Sequence, residues 1–384
     1  MNDALKELLS GGESSHVEFK SMGIRPESFA RELAAFSNTL GGTILIGVDD
    51  DALISGLSDD RRWDEWTSNI ARNAVNPSVM PDISFIDVED RRILRVDVAK
   101  GKDKPYQTVH DGKYWLRVGS TVRQATKEEL SRLFQAAGLV HYDISPVEGS
   151  SVRDLDERKI AEYFSSVYEL DYLAADEAEK TRILRNSNIT TEVEDSIAAT
   201  VGGLLVFSEY PERYLPQAVI SLAVFNGNEP ADPVIQKKEI AGALPGQVEA
   251  AMTFASLFVP EPVILDDSAR RRDSAVIPRG VLREALVNAL CHRDYSISTR
   301  KTQLFIFKDR LEIRNAGRLA NTLTLEMIRY GNSAPRNMFL VKLMDNLRYI
   351  DGLGRGVPMI LRSMGDRAEF SEDGDLFKLI LRFV

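Results

Sequence analysis

The stretch ESSHVEFKS, residues 13–21, places Glu13, Glu18 and Lys20 close together. Val17 and Phe19 alternate with Glu18 and Lys20, the period of a half-buried strand, so Glu18 and Lys20 share one face. Downstream, the apolar run TILIGV reads as a buried strand that empties into Asp49, Asp50 and Asp51. Three carboxylates gathered where two strands end, Glu13, Glu18 and Asp49, supply the hard oxygen donors that Mg²⁺ or Mn²⁺ takes. Such ions activate water and stabilise charge developing on a phosphodiester, while Lys20 would neutralise the phosphate. Spacing alone favours a plainer account, a solvated strand face carrying weak Glu–Lys pairs.

Three more groups of residues could do chemistry. Between 100 and 123, Lys100, Lys102, Lys104, Lys113, Arg117 and Arg123 are interleaved with Tyr106, Tyr114 and Trp115. Basic groups beside aromatic rings suit phosphate contact and base stacking. A solubilising loop over core aromatics explains any single one of them equally well. Further on, REALVNALCHRDY sets Glu284 and Asn288 one helical turn apart on the same face. There a Glu can activate water while an Asn holds Mg²⁺ on a triphosphate. An amphipathic helix with Leu282, Ala285, Leu286 and Leu290 inward fits the same spacing. The glycines of NAG (315–317) and GLGRG (352–356) allow close backbone approach to a nucleotide, and turns use the same residues.

Other chemistries fall away. CHRDY echoes the protein-kinase catalytic loop but lacks its Asn, a D-F-G and a glycine-rich loop with a strand lysine. The four histidines, His16, His110, His141 and His292, show no H-x₃-H spacing for zinc. Cys291 is the single cysteine, so neither a disulfide within the chain nor a cysteine zinc site is expected.

These groups need elements to hold them. PESFARELAAFSNTLGG carries Phe29, Leu33, Phe36 and Leu40 at helical spacing, opened by Pro26 and closed by Gly41 and Gly42. ISFIDV, RILRVDVA and the turn-containing GKYWLRVGSTVRQAT read as strands, and KEELSRLFQAAG as the helix that ends the block. ISPVEGSS (144–151) reads as a linker. Beyond it come acidic helices, then VGGLLVF and QAVISLAVF, both read as core strands. At 384 residues there is room for two or three cores, and the formal charge of −10 argues against a wholesale electrostatic grip on nucleic acid while leaving room for a local basic groove. No apolar run reaches membrane-spanning length and MNDALKELLS lacks a signal-peptide core, so a cytoplasmic protein without membrane partners is expected.

Two resemblances sharpen the reading. ESSHVEFKS, AFSNTLGGTILIGVDDDALISGL and YWLRVGSTVRQATKEEL together resemble the Schlafen AlbA-like domain, over about residues 8–137. That resemblance implies a nucleic-acid-binding domain, for DNA or RNA. In the relatives that cleave RNA, the acidic triad falls at positions matching Glu13, Glu18 and Asp49, with Lys20 beside them. Lys104, Lys113, Arg117 and Arg123 become the candidate nucleic-acid contacts. From about 150 to 375 the chain resembles a bacterial family labelled ATP-binding or ATP-dependent DNA helicase-related, whose C-terminal part is similar to the GHKL ATPase fold of gyrase and histidine kinases. VGGLLVF, REALVNALCHRDYS, LEIRNAGRLA, GNSAPRN and DGLGRGV carry it. It implies ATP as ligand, with Glu284 and Asn288 as the N-box and Asn315 in the place of the adenine-reading Asp. Gly317 keeps the first glycine, Leu319 stands where a second is expected, and Gly352, Gly354 and Gly356 form the second glycine box. The changes at Asn315 and Leu319 weigh against ATP hydrolysis more than against binding. No G-x-x-x-x-G-K-[ST] loop is present, so a helicase motor is not expected.

The expectation is an α+β protein in three parts. These are a Schlafen AlbA-like domain (1–143), a middle mixed α/β segment (152–275) and a GHKL-like α/β sandwich (276–384). Its leading function is metal-dependent cleavage of nucleic acid, regulated by a nucleotide-binding domain, in phage defence by family analogy. The alternative is a non-catalytic, DNA-binding transcriptional regulator, and homo-oligomeric assembly is a further expectation.

Overall fold

The computed structural model describes residues 3–194, 196–260, 263–265, 271–273, 276–320, 323–350 and 354–384. Two compact units result, 1–140 and 141–384. The architecture is α+β, as the alternation of strand and helix periods implied.

In the first unit, α1 (Asp3–Gly11), β1 (Val17–Lys20), α2 (Pro26–Asn38) and β2 (Gly41–Ile46) follow one another. Then come α3 (Trp63–Asn73), β3 (Val75–Asn76), β4 (Asp82–Val88), β5 (Arg91–Ala99), β6 (Gln107–Thr108), the hairpin of β7 (Trp115–Val118) and β8 (Thr121–Gln124), and α4 (Lys127–Ala136). One sheet has the order β1-β2-β5-β4. Its β1/β2 pair is parallel, as the helical crossover α2 requires, and its other pairs are antiparallel. Helix α2 buries Phe29, Leu33 and Phe36 among Ile44, Ile46 and Val96 of the sheet. Leu40 falls past the helix end and is exposed. The chain turns there on Gly41 at φ +78°, where a Cβ would meet the Val98 carbonyl oxygen at 2.6 Å. Strand β1 departs from its expected half-exposed pattern, because Val17, Glu18 and Phe19 are all buried. The hairpin closes over the face that alternation assigned to solvent.

The second unit begins with α5 (Glu157–Tyr168), α6 (Glu177–Asn186), a hairpin of β9 (Thr190–Val193) and β10 (Ser196–Ala199), and α7 (Val201–Phe207). It continues with β11 (Ile220–Phe225), β12 (Val234–Ile240), α8 (Leu244–Ser256), the paired β13 (Val263–Leu265) and β14 (Arg271–Asp273), and α9 (Arg279–Cys291). The chain ends with β15 (Thr302–Ile306), β16 (Arg310–Ala316), α10 (Leu325–Arg329), α11 (Met338–Asn346), α12 (Gly356–Met364), β17 (Ala368–Asp373) and β18 (Leu376–Arg382). A six-stranded sheet of order β12-β11-β15-β16-β18-β17 carries the unit. Because β11 pairs directly with β15, the expected division at residue 275 cuts through one sheet. The middle segment and the last block are therefore one body.

Two local expectations are corrected. VGGLLVF is helix α7, not a strand. Every residue in it is buried, so no polar position betrays its period, and Thr200 caps it by accepting from the Gly203 amide at 3.0 Å. The Ser/Pro/Gly stretch 144–151 is not a spacer but part of the second unit. Ser150 Oγ donates to the Val147 carbonyl at 2.7 Å and accepts from the Ala199 amide at 3.1 Å. Just before that stretch, Asp143 accepts from the Phe339 and Leu340 amides at the start of α11, at 2.7 and 3.0 Å.

Candidate functional site

Glu18 projects from β1 into a closed cluster of charge. Arg117 Nη2, on the hairpin strand β7, lies 2.7 Å from Glu18 Oε2, and Lys20 Nζ pairs with Glu18 Oε1. On the other side of the guanidinium, Arg117 Nη1 is 3.4 Å from Glu32 Oε2 of α2. Arg117 also donates to the carbonyls of Ser14 and Val17, both at 2.8 Å, and lies 4.6 Å from the centre of the Phe36 ring. Burial, then the neighbouring Glu18, pushes the Glu32 carboxyl up to about 7, against the pull of Lys20 and Arg117. Burial works to lower Lys20, but Glu18, Glu32 and Glu13 outweigh it and hold its ammonium above the ordinary lysine range.

The other two expected carboxylates are used elsewhere. Glu13 Oε1 accepts the Phe19 amide at 3.0 Å, and Asp49 Oδ1 accepts the Ser55 hydroxyl at 3.1 Å in the turn after β2. Among the described residues, no group of three or more carboxylate, histidine or cysteine side chains is placed to hold a metal ion. Glu13, Glu18 and Asp49 are thus not gathered into one such group. The physical reason is Arg117, which already supplies the cation that Glu18 needs inside the fold.

The four expected nucleic-acid contacts also separate. Lys104 is buried and donates to the Thr39 carbonyl at 2.9 Å, closing the C-terminal end of α2. Arg117 is sealed inside, as above. Arg123 forks onto Glu129 at 2.6 and 2.8 Å, inside the capping box with which Thr126 opens α4. Lys113 alone of the four is exposed. It stands 6.0 Å from the Trp115 ring, which Arg31 covers at 5.2 Å.

In the second unit, α9 presents Glu284 and Asn288 to a pocket, where the Asn288 side-chain amide donates to Glu284 Oε1 at 2.8 Å. Gly356, at the start of α12, presses on this pair so closely that a Cβ would lie 1.8 Å from Glu284 Oε1. Gly317 and Gly354 line the same pocket at φ +112° and +71°. Gly352 lies outside the described residues. Its lining includes the apolar Ile313, Leu323, Ile360, Phe370, Phe377 and Leu379 and the polar Asn288, His292, Ser333 and Arg336. A pocket that mixes apolar side chains with a few polar groups and glycine backbones is of the kind that takes a small organic ligand. Asn315 is also in the wall, but its amide is engaged by the fold, donating to the Ala289 carbonyl at 2.7 Å and accepting from Thr302 Oγ1 at 3.0 Å.

Residues 13–126 match the family model described as "Schlafen, AlbA_2", and residues 300–381 match the one described as "Putative ATP-dependent DNA helicase recG C-terminal". The chain joins these two domain types. The second match holds Asn315, Gly317, Gly354 and Gly356, while Glu284 and Asn288 precede it. Among solved structures, the DIP2311 protein from Corynebacterium diphtheriae is 20% identical, covering 98% of this chain and 79% of that one, with a TM-score of 0.49. The N-terminal domain of "Putative ATP-dependent DNA Helicase RecG-related Protein" from Nitrosomonas europaea is 25% identical, covering 32% of this chain and 92% of that one, with a TM-score of 0.25. No curated protein matches the chain. The AlbA_2 and recG-type domains mark a nucleic-acid-related protein. Among the described residues, no helix is long and apolar enough to cross a membrane.

Two residues of these sites were missed in the sequence, and each had a signal. Glu32 lies three positions after Phe29 and four before Phe36, on the stripe that α2 buries, where a charge needs a partner. His292 follows Glu284 and Asn288 at the same four-residue step.

Proposed function

We propose that the protein binds nucleic acid through its N-terminal unit without cutting it, and that its C-terminal pocket takes a purine nucleotide that regulates this binding. The observation that carries the first half is the enclosure of Glu18 between Arg117 and Lys20, which leaves its carboxylate neutralised by the chain itself. The surface offered for binding is the exposed Lys113 with Arg31, two cations set over the half-buried Trp115 ring, which suit contact with a phosphate backbone. Transcriptional regulation suits such a module better than phosphodiester hydrolysis does. For the second half, the support is the pocket between α9 and α12, with glycine backbones in its lining.

The deciding experiment incubates the purified chain with labelled tRNA, single-stranded DNA and duplex DNA, with Mg²⁺ or Mn²⁺. Expected are gel shifts without cleavage, and binding weakened about tenfold by Lys113→Ala. Cleavage of any of the three that Glu18→Ala abolishes would restore the nuclease reading and end this one.

A further inference from the structure

CHRDY (291–295) has no kinase chemistry to explain it, yet four of its five side chains are accounted for by the fold. Cys291 is fully buried. Arg293, also buried, donates to the carbonyls of Asp294 at 2.5 Å, of Ile297 at 2.9 Å and of Arg300. Asp294 accepts from the Ser296 amide and hydroxyl and from Arg336 at 3.2 Å. Tyr295 donates to the Leu290 carbonyl at 3.0 Å. His292 is the exception. It lines the pocket one turn beyond Asn288, so Glu284, Asn288 and His292 form a single stripe. Among the described residues, no group hydrogen-bonds its ring.

The end of a helix from which His292 projects is ordinarily hostile to phosphate, because its last carbonyls are unpaired and carry the negative end of the dipole. Here each is occupied. Asn288 O accepts from the His292 amide at 2.9 Å, Ala289 O from Asn315 Nδ2 at 2.7 Å, Leu290 O from the Tyr295 hydroxyl and Cys291 O from Asn337 Nδ2 at 2.8 Å. With those acceptors hidden, the pocket wall near His292 presents Arg336, itself paired with Asp294, rather than bare carbonyls.

Building on the nucleotide reading above, we propose that His292 is a phosphate-contacting residue of this pocket, donating a ring N–H to the phosphate chain and taking up a proton from solvent as the phosphates bind. Burial, then Arg336, holds the His292 imidazole down at about 4 in the free protein, so it is neutral near pH 7. The charged and titratable groups around it are Glu284 and Cys291 on its own helix, Asp294 just beyond and Arg336 across the pocket, while Arg318, also in the lining, is paired with Asp375. A phosphate against the ring adds negative charge and raises its pKa. Between the free and bound values the complex holds the extra proton, so affinity rises as pH falls, by at most about tenfold per pH unit.

The test is calorimetric titration of the full chain with ADP and with adenosine at pH 6 and pH 8, for wild type, His292→Gln and Asn288→Ala. The nucleotide's own phosphate titrates in this range, so the readout is the difference between wild type and His292→Gln. Expected is a steeper gain in ADP affinity toward pH 6 in the wild type, and a roughly tenfold smaller preference for ADP over adenosine in His292→Gln. A His292→Gln protein with wild-type ADP affinity and pH profile overturns the proposal alone. A wild type that binds neither ligand at millimolar concentration overturns the nucleotide reading, and the proposal with it. Melting curves establish that each variant is folded, and His292→Asn replaces His292→Gln if that variant is not.

Discussion

Arg117 Nη2 lies 2.7 Å from Glu18 Oε2, with the guanidinium shut away from solvent and Glu32 on its other side. One buried cation therefore serves two carboxylates. Replacing it by Met leaves Glu32 without a partner and Glu18 with Lys20 alone, which costs on the order of 3–5 kcal/mol. Lysine restores charge but not the fork that reaches Glu18, Glu32 and two carbonyls together, so Arg117→Lys recovers only part of the loss. All three tryptophans, Trp63, Trp66 and Trp115, are in the first unit, so their fluorescence during urea unfolding reads this unit directly. A loss under 1 kcal/mol in Arg117→Met would mean that Lys20 alone suffices as the counter-charge of Glu18.

Glu32 gives the first unit a pH dependence of definite sign. Its carboxyl is pushed up to about 7 from an ordinary 4.5, first by burial and then by Glu18. The folded protein thus keeps a proton that the unfolded chain releases earlier. Stability from this group is complete below the unfolded value and is lost as pH rises through the folded one. Glu32→Gln removes that loss, so between pH 5 and pH 8 its stability should fall less than that of wild type, by on the order of 2–3 kcal/mol. Tryptophan-monitored unfolding at both pH values measures the difference. Equal slopes would place Glu32 as an ionised partner of Arg117 throughout.

What the sequence could and could not say follows from the range of each interaction. Helix α2 was legible because its Pro opening, its Phe29–Leu33–Phe36 stripe and the Gly41 turn are all local. Helix α9 and strand β2 were legible for similar reasons. VGGLLVF was misread because a run with no polar residue has no period to read. The surroundings of Glu18 were not legible because it answers to Arg117, brought back on a distant hairpin, and no local pattern names that partner. The boundary at residue 275 was misplaced because β11 chooses β15 across the whole of α8 and α9.

Asn315 was expected in an adenine-reading position, yet its amide donates to Ala289 O and accepts from Thr302. Asn315→Asp, which installs the residue type the GHKL resemblance calls for, removes the donor and sets a carboxylate oxygen against a carbonyl. A buried acceptor left unpaired costs about 1–3 kcal/mol. Thermal unfolding should therefore show a lower melting temperature without added nucleotide. A variant as stable as wild type that also binds adenosine more tightly would return the position to base recognition.

Gly356→Ala separates helix propensity from the geometry of the pocket. Within a helix alanine is favoured over glycine by about 0.5–1 kcal/mol, less at the first position that Gly356 holds, and Gly356 sits outside the positive-φ region that would forbid a side chain. The added Cβ, however, would stand 1.8 Å from Glu284 Oε1 and 2.8 Å from Asn288 Nδ2. Glu284 Oε1 is the far end of a flexible side chain, so the clash is relieved by swinging that carboxylate away rather than by unfolding the helix. The hydrogen bond to Asn288 breaks, and the polar lining of the pocket is rearranged while the fold persists. The expected outcome is a melting temperature within a few degrees of wild type together with ADP affinity lowered about tenfold. Both are read from thermal scans with and without ADP. A large drop in melting temperature without ligand would mean that Glu284 has no alternative position, and unaltered ADP affinity would remove the Glu284–Asn288 pair from the binding site.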